Sequence, residues 1–251
     1  METKPFPLED EFGDIIKKAR LGRNLSVDYV ASQTNIPAEL LARLESYDRT
    51  PSEKEVVVLA QLLGLVPERL RRIVTPDYVP PPAPHQLGPF TIQTITARPG
   101  EANCYVVSDK QNARSCIVDP GTTVPRIEAV LDNGFAIAAV LVTHHHGDHT
   151  QSLEYFQAKL QPLADEPFTV WKTPGHTADS CSFLFPGFVF VGDLLFAGSV
   201  GRSLPGDNWY DTHLESGRHI LSLPDSTVIF PGHGPATTVA AEKQNNPFFA
   251  F

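Results

Sequence analysis

The feature that most constrains the fold is the run of residues 143–150, Thr-His-His-His-Gly-Asp-His-Thr, which directly follows the apolar segment 137–142. That segment is short, bounded and rich in branched residues, which predicts a buried strand. Histidines crowded at a strand end are costly to bury without partners, and they repel one another when protonated. A metal ion removes both difficulties, because zinc prefers neutral imidazole and carboxylate ligands. The run therefore predicts a metal site.

Three later segments repeat this arrangement of an apolar strand, a small residue and then a ligand. Segment 170–173 precedes one histidine, 188–191 precedes an aspartate, and 227–230 precedes another histidine. Glycine beside each of these residues allows the backbone to pass close to the site. The candidate metal ligands are His144, His146, Asp148, His149, His176, Asp193 and His233.

This set resembles the metallo-β-lactamase superfamily, whose hallmark is H-x-H-x-D-H followed by separate His, Asp and His. The resemblance covers residues 87–251 and implies an αββα sandwich, two sheets with helices outside. It implies that His144, His146 and His176 hold one metal. It also implies that Asp148, His149 and His233 hold a second and that Asp193 bridges both. His145 occupies a variable position and is not predicted to be a ligand.

The implied cofactors are two divalent ions, with zinc preferred and iron or manganese as alternatives. Two neighbouring ions lower the pKa of a shared water and polarise a carbonyl group, so no protein nucleophile is needed. Asp148 is the candidate catalytic residue, because it could orient the attacking hydroxide. The predicted reaction is hydrolysis of an activated acyl compound.

Two stretches, 192–202 and 231–238, resemble the glyoxalase II branch, and in particular its short bacterial members. This resemblance implies a thioester substrate such as S-D-lactoylglutathione. A cation at the position of Arg202 contacts glutathione in that branch, and Lys243 is a second candidate for substrate binding. Asp193 stands where antibiotic-hydrolysing relatives commonly carry cysteine, which disfavours β-lactamase activity. Only 26 residues separate His149 from His176, fewer than the family usually has.

Three other functions stay open at this point. A persulfide dioxygenase would keep one iron on two histidines and an aspartate, and the full set of seven ligands argues against it. A lactonase would use the same two ions on a cyclic ester. A regulator would bind DNA through the front of the chain and sense a metabolite through the back.

The front of the chain is separated from the metal motifs by a proline-rich segment. Five of the ten residues 75–84 are proline, which predicts an extended, semi-rigid spacer. The predicted organisation is therefore a helical domain at 1–74, a linker at 75–86 and a hydrolase domain at 87–251. Overall, we predict an α+β chain whose sandwich follows a small all-α unit.

The helical unit resembles the helix-turn-helix domain of the Cro and λ-repressor type over residues 9–74. DNA binding requires a basic face, yet residues 1–79 contain 11 lysines and arginines against 13 aspartates and glutamates. The front of the predicted recognition helix also contains an acidic residue, Glu39. DNA is therefore a weakly supported partner, and contacts to protein, including a homodimer, are the alternative. The candidate phosphate contacts are Lys17, Lys18, Arg20 and Arg43.

The remaining composition favours a cytoplasmic protein with no membrane partner. The formal charge of −9 argues against coating nucleic acid or anionic membrane. Residues 1–10 lack the apolar core of a signal peptide, and no apolar stretch is long enough for a membrane helix. The cysteines Cys104, Cys116 and Cys181 have no C-x-x-C spacing and are predicted to be small core residues.

Overall fold

A computed structural model describes residues 8–75, 77–96, 101–161, 166–206 and 208–251. The front of the chain forms five helices. They are α1 (Phe12–Gly22), α2 (Val27–Thr34), α3 (Ala38–Glu45), α4 (Glu53–Leu63) and α5 (Pro67–Val74).

Local sequence explains where these helices begin and end. Ser26 caps α2 by accepting a hydrogen bond from the backbone of Tyr29. Ser52 and Glu55 form a reciprocal capping box at the start of α4, and Gly64 ends that helix in the left-handed conformation at φ +64°. Helix α5 begins with Pro67 in its first turn, which is a typical helix start.

The rest of the chain alternates strands and helices. In chain order they are β1 (Gln86–Leu87), β2 (Phe90–Ile95), β3 (Cys104–Asp109), β4 (Arg114–Val118), α6 (Val124–Glu128), β5 (Ala136–Leu141), α7 (Gly147–Thr150), α8 (Leu153–Gln157), β6 (Thr169–Lys172), β7 (Cys181–Phe185), β8 (Phe188–Gly192), β9 (Leu195–Phe196), β10 (Ser199–Val200), α9 (Trp209–Ile220), β11 (Val228–Pro231), β12 (Thr237–Thr238) and α10 (Val239–Asn245).

Two five-stranded sheets pack face to face, which confirms the predicted αββα sandwich. The first has the order β1-β2-β3-β4-β5 and the second the order β12-β11-β8-β7-β6. Aromatic side chains such as Tyr105, Phe188 and Phe230 fill the space between the sheets. Ile127 of α6 and Phe156 of α8 pack on the outer face of the first sheet. Residues of α9 and α10 share an apolar cluster with the second sheet, and residues of the front helices belong to the same cluster.

Two pairs of parallel strands bring the predicted ligands together. Strand β4 runs parallel to β5, and β8 runs parallel to β11 with Gly192 opposite Pro231. Because parallel neighbours end at the same edge of a sheet, the loops that follow them meet there. The loops after β5, β8 and β11 carry predicted ligands, and the loop after β4 carries Asp119.

The helical unit contacts β9, β10, α9 and the carboxyl-terminal residues, and it shares one apolar core with the sandwich. That core joins Ile15 and Leu70 of the helices to Val189, Leu195 and Phe249 of the sandwich. Within the proline-rich segment, the Tyr78 hydroxyl donates to Glu242 at 2.7 Å. The carboxyl-terminal residues 247–251 also contact the helical unit, since the Val66 amide donates to the Pro247 carbonyl at 2.8 Å.

Among the described residues, no helix combines the length and the apolar character needed to cross a membrane. All three cysteines are free. Cys104 and Cys116 are buried, and Cys181 is partly buried, which agrees with the expected role as small core residues.

Candidate metal centre

All seven predicted ligands lie at one edge of the sandwich, on the loops that follow four strands. The loop after β5 contains His144 and His146 and continues into α7 with Asp148 and His149. His176, Asp193 and His233 follow β6, β8 and β11. The ligand atoms form three overlapping groups, each with all its atoms within 4.8 Å of one another. These groups are His144, His146 and His176; His144, His149 and Asp193; and Asp148, His149 and His233.

The first group consists of three imidazole nitrogens directed at one point. His146 Nδ1 lies 3.0 Å from His144 Nε2 and 3.0 Å from His176 Nε2. Each neutral imidazole offers one lone pair, and three such pairs at one point compete for protons. They can instead share a single cation, which is the usual arrangement of a three-histidine zinc site.

Asp193 stands between this group and the remaining ligands. Its Oδ2 lies 3.5 Å from His176 Nε2 and 3.6 Å from His233 Nε2, and its Oδ1 lies 3.5 Å from His149 Nε2. On the other side, Asp148 Oδ2 lies 3.5 Å from His233 Nε2. The Asp193 carboxylate therefore faces His176 of the three-histidine group as well as His149 and His233.

Two atoms of this cluster test whether the residues suit a metal. His149 Nε2 and Asp193 Oδ1 are buried and have no hydrogen-bond partner among the described residues. Buried polar atoms are rarely left without partners, because each such atom costs free energy. Here the two orphaned atoms face each other and are both metal-ligating types. The residues present therefore fit a metal ion between them.

Asp119, which directly follows β4, holds the loop after β5 at two points. Its Oδ1 accepts from the Thr143 amide at 2.7 Å, and its Oδ2 accepts from the Thr143 hydroxyl at 2.7 Å. His149 Nδ1 lies 2.9 Å from the same Oδ2 and must be the donor, since a carboxylate only accepts. This contact turns His149 Nε2 toward the cluster. Asp119 was not among the predicted site residues, although it also follows an apolar strand.

His176 is held by different contacts. Its Nδ1 donates to the Arg202 carbonyl at 2.7 Å, which leaves Nε2 for the cluster. The preceding Gly175 packs against His213 of α9, where an added Cβ would lie 2.4 Å from the His213 Cα. His213 is buried and donates from Nε2 to the Leu194 carbonyl at 2.8 Å. No sequence pattern identified His213, because its contacts come from distant parts of the chain.

Burial and neighbouring charges set the protonation of the histidines. Burial, together with the nearby imidazoles, lowers the pKa of His144 to about 2. Burial likewise lowers the pKa of His176. For His149, burial again opposes the charged form, but the hydrogen bond and charge of Asp119 outweigh it and raise the pKa to about 8. His144 and His176 are therefore neutral at physiological pH.

A glycine lets the loop after β11 approach the cluster. A Cβ added to Gly232 would lie 2.2 Å from Asp193 Oδ1 and 2.8 Å from His149 Cε1. Only a residue without a side chain fits this position.

The other predicted site residues are not all part of the cluster. Arg202 is exposed and lies beside it through the backbone contact to His176. Lys243 is on α10 and pairs with Asp225 at 2.7 Å. Asp225 precedes β11, whereas the ligand His233 follows it, so Lys243 lies toward the opposite end of that strand.

His145 points away from the ligands. Its side chain is 68% exposed, and its Nδ1 lies 2.8 Å from Asp179 Oδ2.

The cations predicted to contact phosphate in the helical unit are partly engaged within the chain. Arg20 pairs with Glu45 at 2.6 Å in a buried contact. Lys18 donates to Asp10 and, at 2.9 Å, to the Val200 carbonyl of the sandwich. Arg43 is exposed on α3, and Lys17 is exposed on α1.

Each of the two parts of the chain matches a protein family. The model described as metallo-beta-lactamase superfamily matches residues 97–164 and 159–233, and a helix-turn-helix model matches residues 16–70. A hydroxyacylglutathione hydrolase of Tolumonas auensis is 32% identical over 57% of this chain. The match spans 64% of that relative's own length.

Solved structures show the same sandwich. BLEG-1, described as a B3 metallo-beta-lactamase, is 25% identical, with a TM-score of 0.55 over 64% of this chain and all of that one. TTHA1623, solved in a di-iron-bound form, is 29% identical, with a TM-score of 0.51 over 62% of this chain and all of that one.

Proposed function

The chain belongs to the metallo-beta-lactamase superfamily, and from this membership we propose that it is a binuclear metal-dependent hydrolase that cleaves a thioester such as S-D-lactoylglutathione. The observation that carries the proposal is the convergence of seven ligand-type side chains, two of whose atoms, His149 Nε2 and Asp193 Oδ1, are buried without a hydrogen-bond partner among the described residues. The relative named hydroxyacylglutathione hydrolase supports the choice of substrate class.

The proposed ligands divide into two sets. His144, His146 and His176 would hold one ion, and Asp148, His149 and His233 would hold the other. Asp193 would contact both, which its short distances to histidines of both sets support. The di-iron form of a structural relative supports two ions rather than one. Zinc is the preferred metal for these ligands, and iron or manganese are alternatives.

Two divalent ions at this place would lower the pKa of water toward neutrality and polarise the scissile carbonyl. The remaining work falls to the side chains. The Asp148 side chain is 54% exposed and borders the cluster, so it can orient the attacking water and hold its proton. Asp119 keeps His149 in the tautomer that presents Nε2.

Arg202 is the proposed contact for the anionic part of the substrate. Its backbone carbonyl is fixed by His176, while its side chain is exposed at the rim of the site. A guanidinium in that position suits a carboxylate such as those of glutathione. Lys243 was predicted to share this role, but its ion pair with Asp225 toward the other end of β11 does not support it.

A DNA-binding regulator is the second candidate function, because the helix-turn-helix family matches residues 16–70. The exposed charges on α2 and α3 do not favour it, since Asp28 and Glu39 outnumber Arg43 there. We propose instead that the helical unit serves contacts within this chain. Retention of a labelled random duplex at low salt, lost on charge reversal of Arg43, would support the regulator.

The deciding experiment measures metal content and S-D-lactoylglutathione hydrolysis on the same preparation. We expect about two ions per chain and turnover that Asp148→Ala abolishes. The matched control is His145→Ala, because His145 lies in the same run but points to solvent. This control should keep both ions and full turnover.

Other outcomes would identify the rival enzymes. A single iron, with oxygen uptake on glutathione persulfide and no thioester cleavage, would refute the proposal in favour of a dioxygenase. Two ions with cleavage of lactones but not of thioesters would indicate a lactonase.

A further inference from the structure

The segment that precedes α1 reaches the metal cluster from the helical unit. Glu9 Oε1 lies 4.0 Å from His233 Nδ1, and the Glu9 side chain is 24% exposed. Glu9 also packs on the loop after β11, where a Cβ added to Gly234 would lie 2.9 Å from the Glu9 Cβ. A carboxylate from outside the sandwich therefore borders a proposed ligand.

Buried contacts fix this segment in place. The neighbouring Asp10 carboxylate accepts hydrogen bonds from Lys18 Nζ and from the Ser199 hydroxyl. Lys18 also donates to the Val200 carbonyl at 2.9 Å, and its ammonium lies 4.8 Å from the centre of the Phe196 ring. These contacts join α1 to β10, so the position of Glu9 depends on docking of the helical unit.

His233 differs from the other buried histidines of the cluster. In three of them, the Nδ1 atom turned away from the cluster has a partner. His144 contacts Thr143, His149 contacts Asp119, and His176 contacts the Arg202 carbonyl. The corresponding atom of His233, Nδ1, is buried and has no hydrogen-bond partner among the described residues. Metal-ligating histidines almost always donate this second N–H to a carboxylate, a carbonyl or water.

We propose that Glu9 is a positioning residue that orients His233, so that the helical unit completes the metal centre. This inference rests on the proposed metal-binding role of His233. The separation of 4.0 Å exceeds a hydrogen bond. A movement of about 1 Å by the partly exposed carboxylate, or one bridging water, closes it. The contact fixes the tautomer with a proton on Nδ1 and leaves Nε2 to the ion shared with Asp148.

The role of Glu9 predicts a selective loss of one metal. Loss of the carboxylate leaves His233 without an orienting partner, while His144 and His176 of the other set keep theirs. We expect Glu9→Ala to weaken binding of one ion of the pair by about 10- to 100-fold. Binding of the other ion should not change. Glu9→Gln should recover much of the loss, because its amide oxygen can still accept from Nδ1.

The test is a zinc titration against a chromophoric chelator, with metal content counted after dialysis. Glu39→Gln is the matched control, since it removes an exposed charge from α3, away from the cluster. Thermal unfolding of the metal-free proteins accompanies the titration. Equal melting temperatures for wild type and Glu9→Ala would show that the fold is intact and that any loss of zinc is local.

The possible failures are separable. Two tightly bound ions in the wild type, and the same two affinities in Glu9→Ala, would overturn the role of Glu9 and leave the proposed function standing. A wild-type protein that binds no ion would overturn the metal centre and the role of Glu9 together. Equal weakening of both ions in Glu9→Ala would also contradict selective positioning of His233.

Discussion

Replacing Gly232 with alanine would place a methyl group inside the proposed metal centre. The new carbon would lie 2.2 Å from Asp193 Oδ1 and 2.8 Å from His149 Cε1, whereas ordinary contact begins at 3.4 Å. Asp193 Oδ1 would have to retreat by about 1.2 Å and His149 Cε1 by about 0.6 Å. His149 is fully buried and tied to Asp119, so it has little room to move. Such overpacking costs about 1–3 kcal/mol. If that cost falls on ligand geometry, metal affinity drops by about 5- to 150-fold.

The control for this variant is Gly147→Ala in the loop that carries His146 and Asp148. A Cβ at Gly147 would meet nothing within 4 Å, and no left-handed φ disfavours alanine there. Zinc affinity measured by chelator competition should fall in Gly232→Ala and stay at the wild-type value in Gly147→Ala. Wild-type affinity in Gly232→Ala, or an equal loss in both variants, would refute the reasoning from the close approach at Gly232.

Three further predictions concern protonation and the contact between the two parts of the chain. Because the pKa of His149 is raised to about 8, a proton occupies its ligand nitrogen below that pH. Zinc affinity titrated from about pH 6 to pH 9 should therefore fall by about tenfold per pH unit below pH 8 and level off above it; a flat profile would contradict this. Gly22→Ala would place a Cβ 2.1 Å from the Tyr210 ring. In urea unfolding it should destabilise the wild type by about 1–3 kcal/mol but stabilise a Tyr210→Ala background by about 0.5–1 kcal/mol through helix propensity. Stabilisation in both backgrounds would show that the ring does not oppose the methyl group. Tyr78→Phe removes the hydrogen bond to the buried Glu242 and should lower the free energy of unfolding by about 1–3 kcal/mol, also measured in urea. No change would mean that this bond contributes little to docking.

Much of the site could be predicted because the sequence signal for each ligand lies in the residues next to it. Each ligand follows an apolar strand within a few residues, and strand ends converge in a sandwich whatever the details of packing. The seven residues could therefore be named before their distances were known. The caps of α2 and α4 were predictable for the same reason, since Ser26 and Ser52 act on neighbouring backbone groups.

The contacts between distant parts of the chain could not be predicted. Lys18 meets the Val200 carbonyl across 182 positions of sequence, and no pattern in either segment indicates the other. The approach of Glu9 to His233 depends on that docking. Lys243 is the opposite case. Its sequence position suggested a substrate contact, but the fold places it beside Asp225, away from the predicted ligands. The roles of Asp119 and His213 became apparent only from their hydrogen bonds.

The shared core of the helices and the sandwich affects how the protein is made. A ribosome completes α1 to α5 before it adds Tyr210, Pro247 and Phe249, which cover the helices in the folded chain. During that interval the docking face of the helical unit is exposed to solvent and to chaperones. Glu9 can reach His233 only after that face is covered. Full affinity for the ion proposed at Asp148, His149 and His233 is therefore expected only after the sandwich has been synthesised and has docked on the helices.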